Sequence, residues 1–488
     1  MKKVFFSNLV LIVILNLIVK PFYLFGVDAQ IQNTVGAADY GMYFALLNFS
    51  FLFNIILDVG LNNYNTKNIA EQPQIIERYL GSILGLKFFL GISYALITLG
   101  VALVLGYQNI HLKLLSFLVL NQFLVSSILY FRSNFAGLHW FKTDALMSVL
   151  DRILLIGICL VLLYGGLSEK PFQIEWFVYA QTFSYGLTSV IALLITLIKI
   201  GVIRPRLKRI LSYAILKKSA PYALLILLMM LYSRIDAVML ERLLFNGKEQ
   251  AGYYAQGFRL LDASNIFALL VAGLLLPIFS RMIKAKENII PLLRSSGKLL
   301  IGIALLVSIV CSCFSFAIMD IIYNHGEIEA AKSFPWIISS FVPMASTYIF
   351  GTLLTANGSL KQLNIMATFG LVLNISLNFW LIPNYEAEGA SIATFCTQLI
   401  TAIWQIVLVL RIFDIGIHKK SVLQLFIFTI FLLVTVNIMS HFLTGYTYYL
   451  ILISLLIGVI GLFALKIIEF SFVELIKSKL KDKNETPS

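Results

Sequence analysis

The chain has 488 residues, of which 59% are hydrophobic and only 12% are charged. Soluble domains usually carry about 25% charged residues, so this composition excludes a set of ordinary water-soluble domains and predicts an all-α protein with many membrane-spanning helices. The net charge of +13 does not indicate a nucleic-acid partner, because the basic residues are spread over short connections between apolar segments and form no dense basic face on a soluble module.

Fourteen apolar segments are long enough, at about 20 residues, to cross the hydrocarbon core of a bilayer. We number them spans 1 to 14, and they cover residues 4–27, 40–63, 80–106, 112–136, 145–166, 173–199, 214–243, 251–283, 296–323, 333–356, 361–382, 387–411, 421–442 and 446–468. Short connections with turn formers, such as Asn246-Gly247 and Pro383-Asn384, separate them. Lys20-Pro21 interrupts the first stretch, which favours a retained helix over a cleaved signal peptide.

The distribution of Lys and Arg orients these spans. With the N-terminus placed in the cytoplasm, 26 of the 37 basic residues fall on the cytoplasmic side, five on the outer side and six within spans. Cytoplasmic loops of membrane proteins are rich in Lys and Arg. The split therefore supports the number of spans and predicts that both termini are cytoplasmic.

A weak internal repeat divides the chain. The segment DYGMYFALLN, which opens span 2, matches QAGYYAQGFR, which opens span 8, so that Gly41 aligns with Gly252 and Tyr43 with Tyr254. The match predicts two six-helix lobes in parallel repeat and two extra C-terminal helices, an organisation typical of transporters. The predicted divisions are an N-terminal lobe, a basic cytoplasmic linker, a C-terminal lobe, the two extra spans and a cytoplasmic tail, at 1–199, 200–218, 219–415, 416–470 and 471–488.

Three cations lie near the predicted middle of the bilayer. Lys20, Arg234 and Arg259 are each about 12–15 Å from the outer end of their helix, where a charge costs about 2.5–3.5 kcal/mol unless it pairs or reaches water. They lie on spans 1, 7 and 8, which lead the two lobes. We predict that they converge, with Asn48 at the repeat position of Arg259, on a hydrated cavity for an anion such as a phosphate group. Local structural pairing, for example of Arg259 with Asp262, is the alternative.

Two acids within spans are candidates for coupling transport to an ion gradient. A buried carboxylate beside changing cations can take up and release a proton, and Asp58 and Asp236 are placed for this role, with structural pairing as the alternative. Lys87, Arg132 and Arg152 lie closer to the cytoplasmic ends and are expected to snorkel or to pair locally. No cofactor is expected, and the spacing of His and Cys predicts no metal site.

Four segments carry a resemblance to a known family. They are LDVGLNNYNTKNIA (57–70), YSRIDAVMLERLLFNGKEQAGYYAQGFRLLD (232–262), LLLPIFSRM (274–282) and LNISLNFWLIPNYEAEGASIATFCTQLI (373–400). The last is the most specific, because it resembles the pattern N…LN…liP…GAaiAT. The family is that of the Wzx-type polysaccharide flippases, in the multidrug/oligosaccharidyl-lipid/polysaccharide exporter superfamily, and the resemblance covers roughly residues 5–415.

The resemblance implies a transporter rather than an enzyme. Such a protein flips undecaprenyl-pyrophosphate-linked oligosaccharide units across the bacterial cytoplasmic membrane for O-antigen or capsule synthesis. A basic cavity lined by the first helices of each lobe implies pyrophosphate-binding roles for Lys20, Arg234 and Arg259. The expected partners are the lipid-linked oligosaccharide and membrane lipids, with polysaccharide polymerase and chain-length proteins as further candidates. The sequence has no Walker motif, so the energy would come from a proton or sodium gradient or from the membrane potential.

Other functions stay open at this point. A multidrug exporter or a peptidoglycan-precursor flippase would belong to the same superfamily, although an exporter of cationic drugs would need an acidic, aromatic cavity where this chain places bases. A membrane polysaccharide polymerase or ligase is more remote, because it would need a large outer loop with catalytic groups and the predicted outer connections are short.

Overall fold

The computed structural model describes residues 15–16, 18–62, 65–66, 69, 76–138, 140–166, 171–201, 209–416, 418–442 and 447–468. In these ranges every regular element is a helix, and ten helices are long and apolar enough to cross a membrane. The prediction of an all-α, multi-pass membrane protein is confirmed. The chain forms two compact units, Met1–Gly252 and Tyr253–Ser488. The predicted lobe boundaries stay predictions, and residues 202–208 of the basic linker and the whole tail lie outside the described residues.

The first unit begins with a helix that bends twice. Helical residues 18–23 lead through a π-helical turn, Leu24–Asp28, into α1 (Ala29–Leu52). Gly36 kinks α1 with φ 84° and ψ 168°, a conformation that suits only glycine. Spans 1 and 2 are thus separated by a kink rather than by a loop. Residues 4–14 of span 1 lie outside the described part of the chain.

Span 2 ends earlier than predicted. Helix α1 stops at Leu52 and is followed by a 3₁₀ turn, Asn54–Leu57, where the prediction had a helix to residue 63. Val59 and Gly60 then adopt positive φ angles of 42° and 81°. A hydrogen bond between side chains holds this segment in its non-helical path. Asn54 Nδ2 donates to Gln122 Oε1 on a neighbouring helix at 2.9 Å. We call residues 53–60 the broken end of α1.

Among the described residues of the first unit, five further long helices agree with spans 3 to 7 within a few residues. They are α2 (Ile76–Val104), α3 (Ile110–Gly137), α4 (Phe141–Tyr164), α5 (Ile174–Ile200) and α6 (Arg209–Leu243). Helix α3 lies at the centre, packed against α1, α2, α4 and α5, while α6 packs against α1. Long apolar helices suit a bilayer because each satisfies its own backbone hydrogen bonds.

Helix α7 (Gly247–Lys284) begins in the first unit, which includes its residues 247–252, and continues into the second unit, whose described part ends with two C-terminal helices. Between α7 and these two helices lie α8 (Ile290–Cys313), α9 (Ser315–Ile322), α10 (Glu327–Ser339), α11 (Phe341–Ala356) and α12 (Leu360–Ile412), and the last two are α13 (Lys419–Phe442) and α14 (Thr447–Ala464). Spans 9 and 10, predicted as unbroken, are interrupted at Phe314 and Ser340. Helices α13 and α14 pack on α8 through apolar side chains that include Leu306, Phe428 and Leu450.

The predicted connection at Pro383-Asn384 is a sharp turn inside α12. Glu386 has φ 50° and ψ −128°, which is not helical. A Cβ placed on Gly389 would meet the backbone of Leu381 and Ile382, so the chain folds back on itself here. The two arms of α12 therefore correspond to spans 11 and 12.

The two glycines aligned by the repeat lie against each other. A Cβ on Gly41 would clash with the carbonyl oxygen of Lys248 and the backbone of Gly252, and a Cβ on Gly252 would clash with the carbonyl of Ala37. Gln32 Nε2 also donates to Gly252 O at 3.0 Å. Small residues let membrane helices approach closely. The repeat signal thus marks the point where α1 crosses the first turns of α7.

Candidate functional site

Arg234 lies on α6 inside the membrane-spanning part of the first unit. It is nine residues from the C-terminal end of α6, about 14 Å along the axis. Its Nη1 donates to Asn48 Oδ1 on α1 at 3.4 Å, and its Cζ lies 5.4 Å from the centre of the Phe51 ring. The guanidinium is half-buried between these two α1 side chains.

Asn48 orients this contact. It is buried, and its Nδ2 donates to Phe44 O at 2.8 Å one turn earlier on α1, which turns its Oδ1 towards Arg234. This contact is to a neutral amide, and it is longer than a charge-assisted hydrogen bond usually is. Two of the predicted site residues, Arg234 and Asn48, are therefore in contact. A guanidinium in this environment can form bidentate hydrogen bonds with a phosphate group.

Asp236 lies two residues after Arg234 and is fully buried on α6. A carboxylate removed from water is costly unless it is paired, hydrogen-bonded or protonated. Its burial fits a group that exchanges a proton and fits equally a structural pair. Its role in coupling stays a prediction.

Lys20 belongs to a second group of cations in the first unit. It is half-buried, and Arg152, Arg132 and Asp151 lie within electrostatic range of it. The guanidinium of Arg152 stacks on the ring of Tyr23, with Cζ 4.7 Å from the ring centre. Its Nη1 also donates to the hydroxyl of Tyr185 at 3.1 Å. Lys20 thus shares its surroundings with cations for which the sequence predicted local roles.

Each of the three cations predicted to pair locally has a carboxylate within 4.0 Å. Arg132 Nε lies 2.7 Å from Asp144 Oδ1, and Arg152 Nε lies 4.0 Å from Asp151 Oδ2. The third pair is Lys87 with Asp58, at 3.5 Å. Asp58, predicted as a coupling residue, is therefore in an ion pair with a lysine.

Arg259 lies in the second unit on α7, half-buried, with Asp262 one turn later on the same helix. The two side chains are spaced for the local pairing that the sequence left open. Arg259 belongs to the second unit, whereas Lys20 and Arg234 belong to the first. Their convergence stays a prediction.

One buried carboxylate is not among the site residues predicted from the sequence. Asp28 ends the π-helical turn and is buried, and it accepts hydrogen bonds from Tyr40 at 2.6 Å and Tyr23 at 3.4 Å. It was assigned to the connection after span 1 rather than to the membrane. The signal that could have found it is the pair of tyrosines on its two sides, which can donate to a carboxylate once the connection is helical.

A second missed group lies at the C-terminal end of α6. Glu241 accepts from Tyr107 OH at 3.1 Å, and its carboxylate is 3.3 Å from Arg242 and 3.7 Å from His111. Burial, followed by the neighbouring Glu241 carboxylate, raises the pKa of Tyr107 well above its usual value, so the phenol stays a donor. The group ties α6 to the connection between α2 and α3.

Comparisons with known proteins agree with this architecture. A family model described as "Polysaccharide biosynthesis protein" matches residues 6–283. The chain is 26% identical over 398 residues to "Uncharacterized membrane protein YabM" of Bacillus subtilis (strain 168). The aligned region covers 74% of this chain and 72% of that relative.

Solved structures share the fold. "Lipid II flippase MurJ, inward closed conformation" is similar with a TM-score of 0.71 and 15% identity, over 96% of this chain and 100% of that one. The "Inward-facing conformation of a multidrug resistance MATE family transporter of the MOP superfamily" is similar with a TM-score of 0.64 and 14% identity, over 81% of this chain and 96% of that one. At these identities the likeness shows the fold alone.

Proposed function

The chain belongs to the polysaccharide biosynthesis protein family, as its sequence motifs predicted, and from this premise we propose that it flips undecaprenyl-pyrophosphate-linked oligosaccharide units across the bacterial cytoplasmic membrane. The product would serve the synthesis of a surface polysaccharide such as O-antigen or capsule. Transport would proceed by alternating access coupled to an ion gradient, without chemical change to the substrate.

The observation that carries the proposal is the setting of Arg234. A guanidinium on a membrane-spanning helix is costly unless it reaches water or a ligand of opposite charge, and here it lies half-buried beside Asn48 and Phe51 of α1. A diphosphate would bind the guanidinium through charge-assisted hydrogen bonds. Lys20 and Arg259 are proposed as further contacts of the same anionic group.

The two parts of the substrate need different routes across the membrane. The polyprenyl tail can stay in the hydrocarbon, because it is as apolar as the lipid, while the charged and sugar-bearing head needs a polar route. A ligand drives a conformational change only if it binds the two states with different affinity. A second ligand, an ion, would make the cycle directional by binding one state more tightly than the other. Asp58 and Asp236 are proposed to bind this ion.

The test uses the full-length protein reconstituted in liposomes with an undecaprenyl-pyrophosphate oligosaccharide carrying a fluorescent label. We expect the labelled head to exchange between leaflets without a change in mass. Elongation or cleavage of the glycan would instead show a polymerase or ligase. Exchange of a lipid-linked peptidoglycan precursor alone, or transport of cationic dyes alone, would assign one of the two other functions of the superfamily.

A further inference from the structure

Lys87 is a buried cation of the first unit that the proposed anion site does not use. Its side chain on α2 is 4% exposed. Its Nζ donates to Ser126 Oγ at 2.8 Å, to Ser126 O at 3.2 Å and to Leu57 O at 3.3 Å, and Asp58 Oδ1 lies 3.5 Å away. An ammonium group has three N–H donors. Four protein oxygens therefore satisfy the hydrogen-bonding capacity of Lys87.

One of these oxygens ties the charge to the backbone. Leu57 is the last residue of the 3₁₀ turn in the broken end of α1. Carbonyl groups at a helix end lack partners within the helix, and a cation stabilises them. Leu57 O accepts from Lys87 and also from Ser126 Oγ at 3.2 Å. The broken end of α1 is thus held against α2 and α3 by the protonated lysine.

The two members of the ion pair differ in the exposed fraction of their side chains. Asp58 is 31% exposed, whereas Lys87 is 4% exposed. A proton leaving the buried ammonium therefore has a short route through the carboxylate. We propose that Lys87 and Asp58 form the proton-binding site that couples this transporter to a proton gradient, and that deprotonation of Lys87 releases the broken end of α1. This inference rests on the proposed ion-coupled transport.

The transfer is a single proton step. Lys87 Nζ gives one proton to Asp58 Oδ1, which turns the ion pair into a neutral amine and a neutral carboxylic acid. The acid then releases the proton to water and becomes a carboxylate again. The amine takes up a proton by the same route in reverse, so one proton is bound and released in each cycle.

The neutral amine cannot hold Leu57 as the ammonium does. It has two N–H donors and one lone pair, and Ser126 Oγ, at 2.8 Å, is placed to donate to that lone pair. The hydroxyl would then no longer donate to Leu57 O, and the amine itself has one donor fewer. Val59, a β-branched residue with positive φ, persists in this conformation only while its surroundings hold it. Loss of the proton therefore favours a change of backbone conformation at residues 53–60.

Other titratable groups do not substitute for this pair. Within the described ranges, the titratable side chains in contact with Lys87 are Asp58 and Tyr130, whose ring centre lies 5.7 Å from Nζ. Tyr130 is fully buried on α3 and donates its hydroxyl proton to Leu80 O at 3.3 Å, so the ring rather than the hydroxyl faces the ammonium.

Hydrogen–deuterium exchange of the full-length protein in lipid nanodiscs tests the inference without the transported substrate. Exchange is measured from about pH 6 to about pH 10 and corrected for the intrinsic effect of pH. Exchange of amides 55–61 is expected to rise by about tenfold per pH unit as Lys87 loses its proton, until the segment is fully released. Exchange in α4 serves as an internal reference and should stay flat. A flat profile for residues 55–61 in the wild type would overturn the proposal, because a purely structural lysine gives no transition.

Variants sharpen this test. Lys87→Met, similar in length and uncharged, should exchange fast at residues 55–61 at every pH, while Lys113→Met, on the exposed surface of the same unit, should keep the wild-type transition. If Lys87→Met does not fold, Asp58→Asn provides the test: removing the counter-charge should move the transition to lower pH, and an unmoved transition contradicts the role of the pair. Leaflet exchange together with a flat profile would reject this inference and leave the proposed function standing.

Discussion

Arg234 and Lys87 are both cations on membrane-spanning helices of the same unit, and their surroundings differ in kind. Lys87 is enclosed by four oxygens, including a carboxylate and two backbone carbonyls. Arg234 is half-buried and contacts α1 through a neutral amide at 3.4 Å and an aromatic ring. The four oxygens around Lys87 belong to the protein, so its charge acts on the protein itself, whereas Arg234 is proposed to act on an external anion.

The strongest test of this contrast removes the arginine. Arg234→Ala should lower the rate of leaflet exchange about ten- to hundredfold, since hydrogen bonds to charged groups contribute about 1.5–3 kcal/mol. Arg411→Ala, at an exposed position in the last turn of α12, is the matched control and should exchange at the wild-type rate. Equal rates for the wild type and Arg234→Ala would reject the anion site at this residue.

The next largest effect is expected at Gly41, where α1 crosses the start of α7. Gly41 lies seven residues, about two turns, before Asn48 on α1. Gly41→Ala should destabilise the protein by about 1–3 kcal/mol, because the added methyl group meets backbone rather than a flexible side chain. Thermal unfolding in detergent measures the change. Gly157→Ala on α4, where a Cβ has open space, should not lower the Tm, and equal losses in the two variants would contradict the account.

A third variant makes the arginine resemble the lysine. Asn48→Asp replaces the amide beside Arg234 with a carboxylate, so an incoming anion must compete with this added negative charge. We expect leaflet exchange to fall about tenfold, equivalent to about 1.4 kcal/mol, with no loss of thermal stability. Unchanged exchange would mean that the contact between Arg234 and Asn48 does not lie on the substrate path.

The smallest effect is expected at a local pair. Arg132 and Asp144 have side chains that are 24% and 12% exposed, so solvent weakens their attraction and breaking the pair should cost about 1 kcal/mol. Arg132→Met should lower the Tm slightly and leave leaflet exchange near the wild-type rate. A loss of exchange as large as that in Arg234→Ala would place Arg132 in the substrate site as well.

The sequence predicted most of the helical architecture, because a helix that crosses lipid needs an apolar run of a known length. Apolar runs of sufficient length predicted spans 3 to 8 within a few residues, and the match of Gly41 with Gly252 marked a real helix crossing. Both features arise from local composition or from the need for a small side chain at a close approach.

The interruptions were harder to predict, because tertiary partners create them. Nothing local stops α1 at Leu52; the partners of Asn54 and Leu57 lie on other helices, far along the chain. For the same reason charge and depth made Arg234 a candidate but could not show that Lys20 lies near Arg152, or that Lys87 binds a backbone carbonyl. Asp28 was missed because the connection after span 1 was expected to be a loop.

The reversal within α12 also bears on how this protein is made. Its two arms meet at Glu386 with almost no intervening chain, so they can enter the bilayer during synthesis only as one helical hairpin. Asn374 and Asn378 on the first arm are fully buried, and Asn378 Nδ2 donates to Asn374 Oδ1 at 3.1 Å. Because the two arms enter together, we expect insertion of the first arm to depend on translation of the second.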